Sequence, residues 1–329
     1  MEITILTEAD IRQCVGINDV ALTAVSDAFT KLANDQATMP PIMRVDVPEN
    51  NGEVDIKSAY IKGLDGFAVK MSSGFFNNRQ LGLPSLSGMM VLLSAVTGFP
   101  QALLLDNGYL TDVRTGLAGA LAAQYLAPKQ VDTVGVVGAG MQGRYQMRAL
   151  QLVRTFSKLV VYDHNAEQVK KYVAEMSSEL GVEVIPANSV EQVVRQSQIV
   201  VTTTPAKTPY LQAEWLHPGM HITAMGSDAE GKNELHPQVL GRADLLVGDR
   251  KSQVFRLGEH HHAFEAGVIT EKDMGAELGE LTAVRHPGRQ NDDQITVCDL
   301  TGTGVQDTAI ALLAYQQAQV QRLGMDIET

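Results

Sequence analysis

The chain has 329 residues, of which 44% are hydrophobic and 19% charged, with 38 acidic against 26 basic side chains and a formal net charge of −12. Those proportions fit a globular protein of about two domains, large enough to need no disulfide or metal staples. The acidic balance argues against a nucleic-acid surface or an anionic membrane as partner, since both attract excess Lys and Arg. A small anionic ligand stays open, because it needs only a few local cations.

Cys14 and Cys298 are the only cysteines and lie far apart, which predicts free thiols in a reducing compartment. The opening MEITILTEADIRQC carries acids and lacks the apolar core of a signal peptide. No run reaches the roughly 18 uncharged apolar residues of a membrane span. The expected location is cytoplasmic.

Along the chain, Thr7 with Asp10 predicts a helix start, and a longer amphipathic helix is predicted from about Asp19 to Asn34. Short alternating runs follow: IMRVDV, EVDIKSAYI, GFAVKMSS, SGMMVLLSA and ALLLD, separated by Gly, Asn and Pro. With no helix between them, they predict an antiparallel sheet. SGMMVLLSA and ALLLD are apolar on both faces, so they are expected to bury one face against a second subunit, giving a symmetric homodimer. TDVRTGLAGALAAQYLA, rich in Ala and free of Pro, reads as a linking helix.

From about Asp132 strand and helix alternate, and the runs VDTVGVVG, KLVVYD, VEVIPA, IVVTTTP, HITAMGS, DLLVGD and ITVCDL predict a doubly wound parallel sheet. DTAIALLAYQQAQVQRL then forms a last helix, expected to pack on the first domain. The predicted fold is α/β: a Rossmann-type domain, about 120–304, inserted into an α+β domain made of 1–119 and 305–329.

The strongest motif is Gly138-Ala139-Gly140-Met141-Gln142-Gly143, between an apolar strand and a helix. Gly138 suits the tight turn, Gly140 a close approach of backbone to a pyrophosphate, and Gly143 the packing of helix on strand. The helix N-terminus offers N–H groups to phosphates. Asp163, 20 residues beyond Gly143, can accept both ribose hydroxyls and repels a 2′-phosphate, which favours NAD(H). Thr202, Thr203 and Thr204, and Met225 after the next strand, end strands at the edge where such sheets bind ligands. They are candidates for the nicotinamide side, or else ordinary strand residues.

Four cations stand among apolar neighbours: Arg44, Lys57, Lys70 and Arg114. Taken singly, each reads as a solvated charge. The segments PxxMR, AVKMSSGF, LLLDNGYLTDVRTGLAG, GVVGAGMQGRYQ, ITAMGSDAEGKNEL, GEHHHAFEAG and ITVCDLTGTGVQDTAIA occur in one order over essentially the whole chain. Together they resemble the ornithine cyclodeaminase/mu-crystallin family, and most closely its branch found with ectoine-utilisation genes.

The resemblance implies a first domain that binds substrate and dimerises, and a second that binds the dinucleotide. It places Arg44, Lys70 and Arg114 on the substrate α-carboxylate and Asp228 as the catalytic acid. Asp55 falls where ornithine-specific members carry an acid facing the distal amine. Independently, Asp228 follows the strand HITAMGS and so sits at the carboxyl edge of the sheet, where an acid can serve a nitrogen that gains a proton during hydride transfer.

His260, His261 and His262 are adjacent on one helix, so they do not share a face, and packing or hydrogen bonding between domains is expected instead of a metal. Two enzyme readings remain: a cyclodeaminase that oxidises the α-amine, loses ammonia during ring closure and then returns the hydride, so that NAD is not consumed, and an imine reductase that runs only the second half and consumes NADH. Lys57, on the same strand face as Asp55, suits a second carboxylate better than a distal ammonium and so favours a dicarboxylic imine such as iminosuccinate. A non-catalytic crystallin-type binder of small molecules is the reading from another class, and it has no need of an acid at Asp228.

Overall fold

Thr7 both closes the first strand and opens the first helix. A computed structural model describes residues 2–328, apart from the side chain of Arg79. In it β1 (Glu2–Thr7) runs into α1 (Glu8–Cys14), capped reciprocally by the Thr7 hydroxyl and the Asp10 carboxylate as the sequence predicts. The Asn18 side chain caps α2 (Asp19–Ala33), which buries Ala21, Val25, Ala28, Phe29 and Leu32 along one stripe. The strands β2 (Ala37–Thr38), β3 (Met43–Val47), β4 (Gly52–Ile61), β5 (Gly66–Phe75), β6 (Leu86–Ser94) and β7 (Pro100–Leu105) follow.

The five expected strands are β3 to β7, and each pairs antiparallel with the next. The sheet is nevertheless mixed, because β1 lies parallel to β7. Register fixes two unlike faces. On one, Arg44 lies opposite Asp55, and Lys57 opposite Lys70, which in turn faces Met90. On the other, Met43, Ile56, Met71 and Met89 run in a row across four strands, beside Val45 with Val54 and Val69 with Val91 and Leu103. That second face stays partly open, with Met43 at 55% and Met89 at 40% of full exposure.

Contacts divide the chain into Met1–Arg114 with Thr303–Thr329, and Thr115–Gly302, and the boundary falls inside α3 (Tyr109–Leu126). In the second unit β8 (Thr133–Val137), α4 (Met141–Leu150), β9 (Lys158–Tyr162), α5 (Ala166–Leu180), β10 (Glu183–Pro186), α6 (Val190–Gln196), β11 (Ile199–Thr202) and β12 (His221–Ala224) alternate as expected. The helices α7 (Pro237–Arg242), α8 (Lys251–Leu257), α9 (Glu259–Glu265) and α10 (Leu278–Thr282) surround β13 (Leu245–Gly248), β14 (Met274–Glu277) and β15 (Thr296–Asp299). All eight strands are parallel, in the order β10-β9-β8-β11-β12-β15-β13-β14. The central ones are buried on both faces, which explains their continuous Val/Ile/Leu runs.

The last helix, α11 (Gly304–Gln321), returns to the first unit and starts three residues before the expected Asp307. Thr303 and Gln306 form its capping box. Gly304 is required there, since a Cβ would stand 2.4 Å from the Ser58 carbonyl oxygen. The Thr308 hydroxyl accepts from the Ala68 N–H at 3.0 Å and donates to the Ala59 carbonyl at 2.7 Å, joining the helix to β5 and β4. A final strand, β16 (Met325–Glu328), pairs antiparallel with β1.

One buried histidine makes the second unit sensitive to acid. His221 is fully buried, with its ring nitrogens 2.9 Å from the Thr296 and Thr223 hydroxyls. Burial, helped by Arg289 and Arg154, pulls its pKa from 6.5 down to about 3. A histidine depressed in the folded state stays neutral there while the unfolded chain takes up a proton. Stability is therefore lost as pH falls from about 6.5 toward 3, by up to ~1.4 kcal/mol per pH unit. Denaturant melts of the wild type and His221→Gln over this window check it, and the variant should lose that part of the slope.

Candidate active site

The glycine loop has the shape a dinucleotide needs. Gly138 has φ +109°, and a Cβ on it would strike the Thr203 hydroxyl at 2.5 Å. A Cβ on Gly143 would lie 2.2 Å from the Gly138 carbonyl oxygen, so helix and strand approach as closely as only glycine allows. At Gly140 the same atom would meet nothing within 4 Å, leaving open space beside the N-terminus of α4. Gly140 is the N-cap, so no side chain covers the first turn, and a phosphate fits there. Met141 is exposed and Gly143 buried, as this packing requires.

Asp163 follows β9 and accepts from the Ala139 N–H at 2.9 Å through Oδ2, and from the Asn165 N–H at 2.9 Å through Oδ1. His164 stands 3.1 Å from the same Oδ1. Arg144 braces the loop from the other side, donating to the carbonyls of Ala139 and Gly140 at 2.6 and 3.0 Å.

The three threonines divide their work. Thr202 has no exposed surface, and its hydroxyl donates to Glu234 at 2.6 Å, so it faces no ligand. Thr203 donates to the Val137 and Gly138 carbonyls at 3.3 and 3.2 Å. Thr204 gives both its N–H and its hydroxyl to Glu234, at 2.6 and 2.7 Å. Tyr210 and the Gly226 N–H complete that shell at 2.6 and 2.9 Å. Glu234 is wholly buried; desolvation raises its pKa, against hydrogen bonds that lower it. Nothing in its sequence setting, GKNELH, marks it as the brace of two strand ends.

Met225 follows β12 and is nearly buried, with its N–H on the Thr202 carbonyl at 3.0 Å. Asp228 comes next, in a loop closed by the Ser227 hydroxyl on the Lys232 carbonyl. Its carboxylate is 41% exposed and lies 2.8 Å from the Lys232 ammonium. An accessible acid paired to a cation at the carboxyl edge of a parallel sheet can exchange a proton with a ligand.

The histidines all bond within the second unit. His260 Nδ1 lies 2.9 Å from Asp299, His261 meets the Phe255 carbonyl at 3.1 Å, and His262 the Lys232 carbonyl at 2.7 Å. Glu259, buried beside them, accepts from Asn233, Glu234 and Leu235, and burial drives its pKa well up. Among the described residues no His, Cys, Asp and Glu group fits a metal ion.

In the first unit the cations separate into two sets. Arg44, half-buried, pairs with Asp46 at 2.9 Å, with Glu53, and with Asp55 at 3.7 Å. Burial works against its charge, and the three acids more than offset that, so its pKa rises. Arg44 and Asp55 thus meet each other. Lys57, Lys70 and Arg114 are buried, at 6%, 1% and 5% exposure, so none is a solvated surface charge. All three act on Asp307 of α11, with Lys70 Nζ and Arg114 Nε each 3.0 Å from its Oδ1. Asp307 is absent from the expected site; its only sequence signal is a lone charge in the first turn of an Ala/Leu helix. Asp106, at the end of β7, is also buried, and desolvation pushes its pKa up to about 6.

A parallel sheet with a glycine-rich first turn defines a dinucleotide-dependent enzyme. The chain belongs to the ornithine cyclodeaminase/mu-crystallin family, whose model matches residues 1–322. It is 50% identical to an uncharacterised cyclodeaminase of Sinorhizobium fredii, covering 99% of this chain and 98% of the relative. Alanine dehydrogenase of Archaeoglobus fulgidus is 35% identical over 100% and 99% of the two chains. Iminosuccinate reductase of Paracoccus denitrificans is 32% identical over 94% and 95%. Among solved structures, Δ1-pyrroline-2-carboxylate reductase of Thermococcus litoralis with NADH and L-proline superposes with a TM-score of 0.94 at 31% identity, covering 99% and 100%. An archaeal alanine dehydrogenase dimer with NAD gives 0.93 at 34% identity, covering 100% and 99%.

The loop and Asp163 fit NAD(H) and set its expected preference. NADH should bind at least about tenfold more tightly than NADPH, ~1.4 kcal/mol, because a 2′-phosphate would meet the Asp163 carboxylate. Fluorescence titration with both cofactors measures this, and Asp163→Ser should narrow the gap. Equal affinities in the wild type would remove Asp163 from ribose recognition.

Proposed function

We propose that this protein is an NADH-dependent imine reductase of amino-acid metabolism, with a dicarboxylic imine of the iminosuccinate type as its substrate. The burial of Lys57 beside Lys70 and Arg114 carries this reading. Like charges opposite each other on paired strands repel, and burial removes the water that would screen them. A substrate with two carboxylates supplies the anions such a cluster favours. The distal ammonium of ornithine would meet Lys57 instead, and Asp55, the acid meant for that ammonium, already faces Arg44.

In the reaction, hydride from NADH enters the α-carbon of the C=N bond, and its electron pair passes to nitrogen, which takes a proton. Asp228 is assigned to that proton, and Lys70 and Arg114 to the α-carboxylate, with Lys57 toward the second. Arg44 joins them only by loosening its contacts with Glu53 and Asp46. The bound dinucleotide supplies the hydride; the chain's residues hold the substrate and move the proton. The resemblance to the ectoine-utilisation branch suggests the setting.

A screen of 2-oxo acids with ammonia, following NADH oxidation beside an ornithine-to-proline assay with NAD, tests the reading. Oxaloacetate with ammonia should be turned over, and Asp228→Asn should slow it by roughly 10²- to 10⁴-fold. Lys57→Met should lower kcat/KM for the dicarboxylic imine by about 1.5–3 kcal/mol while leaving the imine of pyruvate nearly unchanged. Proline formation without NADH consumption would reject the reductase.

The open apolar face of the first sheet is assigned to a second copy of the chain. Its rows of Met, Val and Leu match the composition of an isologous interface. Sedimentation velocity at micromolar concentration should give a dimer or a multiple of it, and Met89→Asp should release monomers. A wild-type monomer would contradict the assignment.

A further inference from the structure

Asp307 sits in the first turn of α11 with no exposed surface. Lys70 Nζ and Arg114 Nε both lie 3.0 Å from its Oδ1, yet only the lysine makes a hydrogen bond there. The Arg114 Nε–H points at no acceptor, and Asp307 Oδ2 receives no donor among the described residues. A purely structural buried ion pair saturates its donors and acceptors. This cluster leaves capacity open on both sides.

We propose that Asp307 is a positioning residue, which holds the Lys70 ammonium and the Arg114 guanidinium side by side in the free enzyme as a preformed fork for the substrate carboxylate. The assignment rests on the carboxylate-holding role given to those cations above. Two cations crowded in a buried site repel, and the ammonium gives up its proton more readily than the guanidinium. Burial, with Arg114 and Lys57, pulls Lys70 down to about 7, against the upward pull of Asp307. Asp106, near the end of β7, is the other acid that feels Lys70, while Met90 opposite on β6 is neutral. Asp307 itself stays ionised: burial pushes its pKa up, and Lys70, Arg114 and Lys57 bring it below the usual range. Without the Asp307 charge, Lys70 loses its proton at lower pH, and the fork fails earlier as pH rises.

The test reads carboxylate binding without turnover. Succinate is titrated by calorimetry into the NAD-loaded protein from about pH 5 to 9, for wild type, Asp307→Asn and Asp307→Glu, beside pH profiles of kcat/KM. Wild-type binding should weaken above about pH 7. In Asp307→Asn that limb should move about one unit toward acid, with KM raised, kcat little changed and NADH affinity intact. Asp307→Glu keeps the charge and should restore the limb, with KM several-fold higher. An unmoved limb in Asp307→Asn, with only a lower melting temperature, overturns the proposal. If Asp307→Asn does not fold, Asp307→Glu decides: a raised KM at wild-type melting temperature supports positioning, and a wild-type KM overturns it. Succinate binding as expected with no turnover of any imine rejects the reductase and keeps the fork. No succinate binding to the wild type overturns both.

Discussion

One buried carboxylate fixes the charged side of the first unit. Asp307 reaches from the last helix to a strand and to the start of α3, so residues far apart in sequence meet at a single oxygen. Three buried cations near each other would drive one another to lose protons or to escape into water. The carboxylate prevents both, and the positive N-terminal turn of α11 favours its charge. The chain has to return to the first unit after the second is complete, because the counter-ion for Lys70 and Arg114 arrives only with α11. Thr308, one residue on, ties the same turn to the backbone of β4 and β5, which fixes where that carboxylate stands.

In the second unit Glu234 plays a comparable part without a cation. It gathers donors from the ends of β11 and β12 and from Tyr210, all within 2.9 Å. The backbone N–H groups of Thr204 and Gly226 are donors that the ends of those strands would otherwise leave unsatisfied. The loop carrying Asp228 hangs from this brace through Gly226, where a Cβ would stand 2.1 Å from the Thr204 carbonyl oxygen. The acid assigned to proton transfer is thus placed by residues that need no contact with substrate. Lys232, itself largely buried, lies beside it at 2.8 Å.

The periodic elements were legible in the sequence because burial imposes a period. Seven of the eight parallel strands show as apolar runs, α2 as a stripe, and β3 to β7 as alternations; β14, MGAE, has no such run. β16 escaped notice because it is a four-residue edge strand exposed throughout, and β1, between β16 and β7, because it runs straight into α1 with only two fully buried residues. The glycine loop was readable for the opposite reason: each of its glycines meets a local steric limit that only one residue type satisfies. Asp307, Glu234 and Lys232 act through partners distant in sequence, so their own neighbourhoods carry no mark of the role. The threonines after β11 show the same gap, since their position at the ligand edge could be read and the buried acid that occupies Thr202 and Thr204 could not.

The alternation of a β-strand also explains why one sheet can serve two purposes. Side chains on β4 and β5 point to opposite faces in turn, so Lys57 and Lys70 share one side while Ile56, Val69 and Met71 share the other. A slip of one residue in the β4–β5 register would carry the cations onto the apolar face and the apolar row onto α11. Neither face could tolerate the exchange: the cations would lose Asp307, and the helix would lose its packing. The charged site and the apolar face therefore enforce the same register. The like-charge pairing of Lys57 with Lys70, unfavourable by itself, is offset by the Asp307 carboxylate, which acts on both.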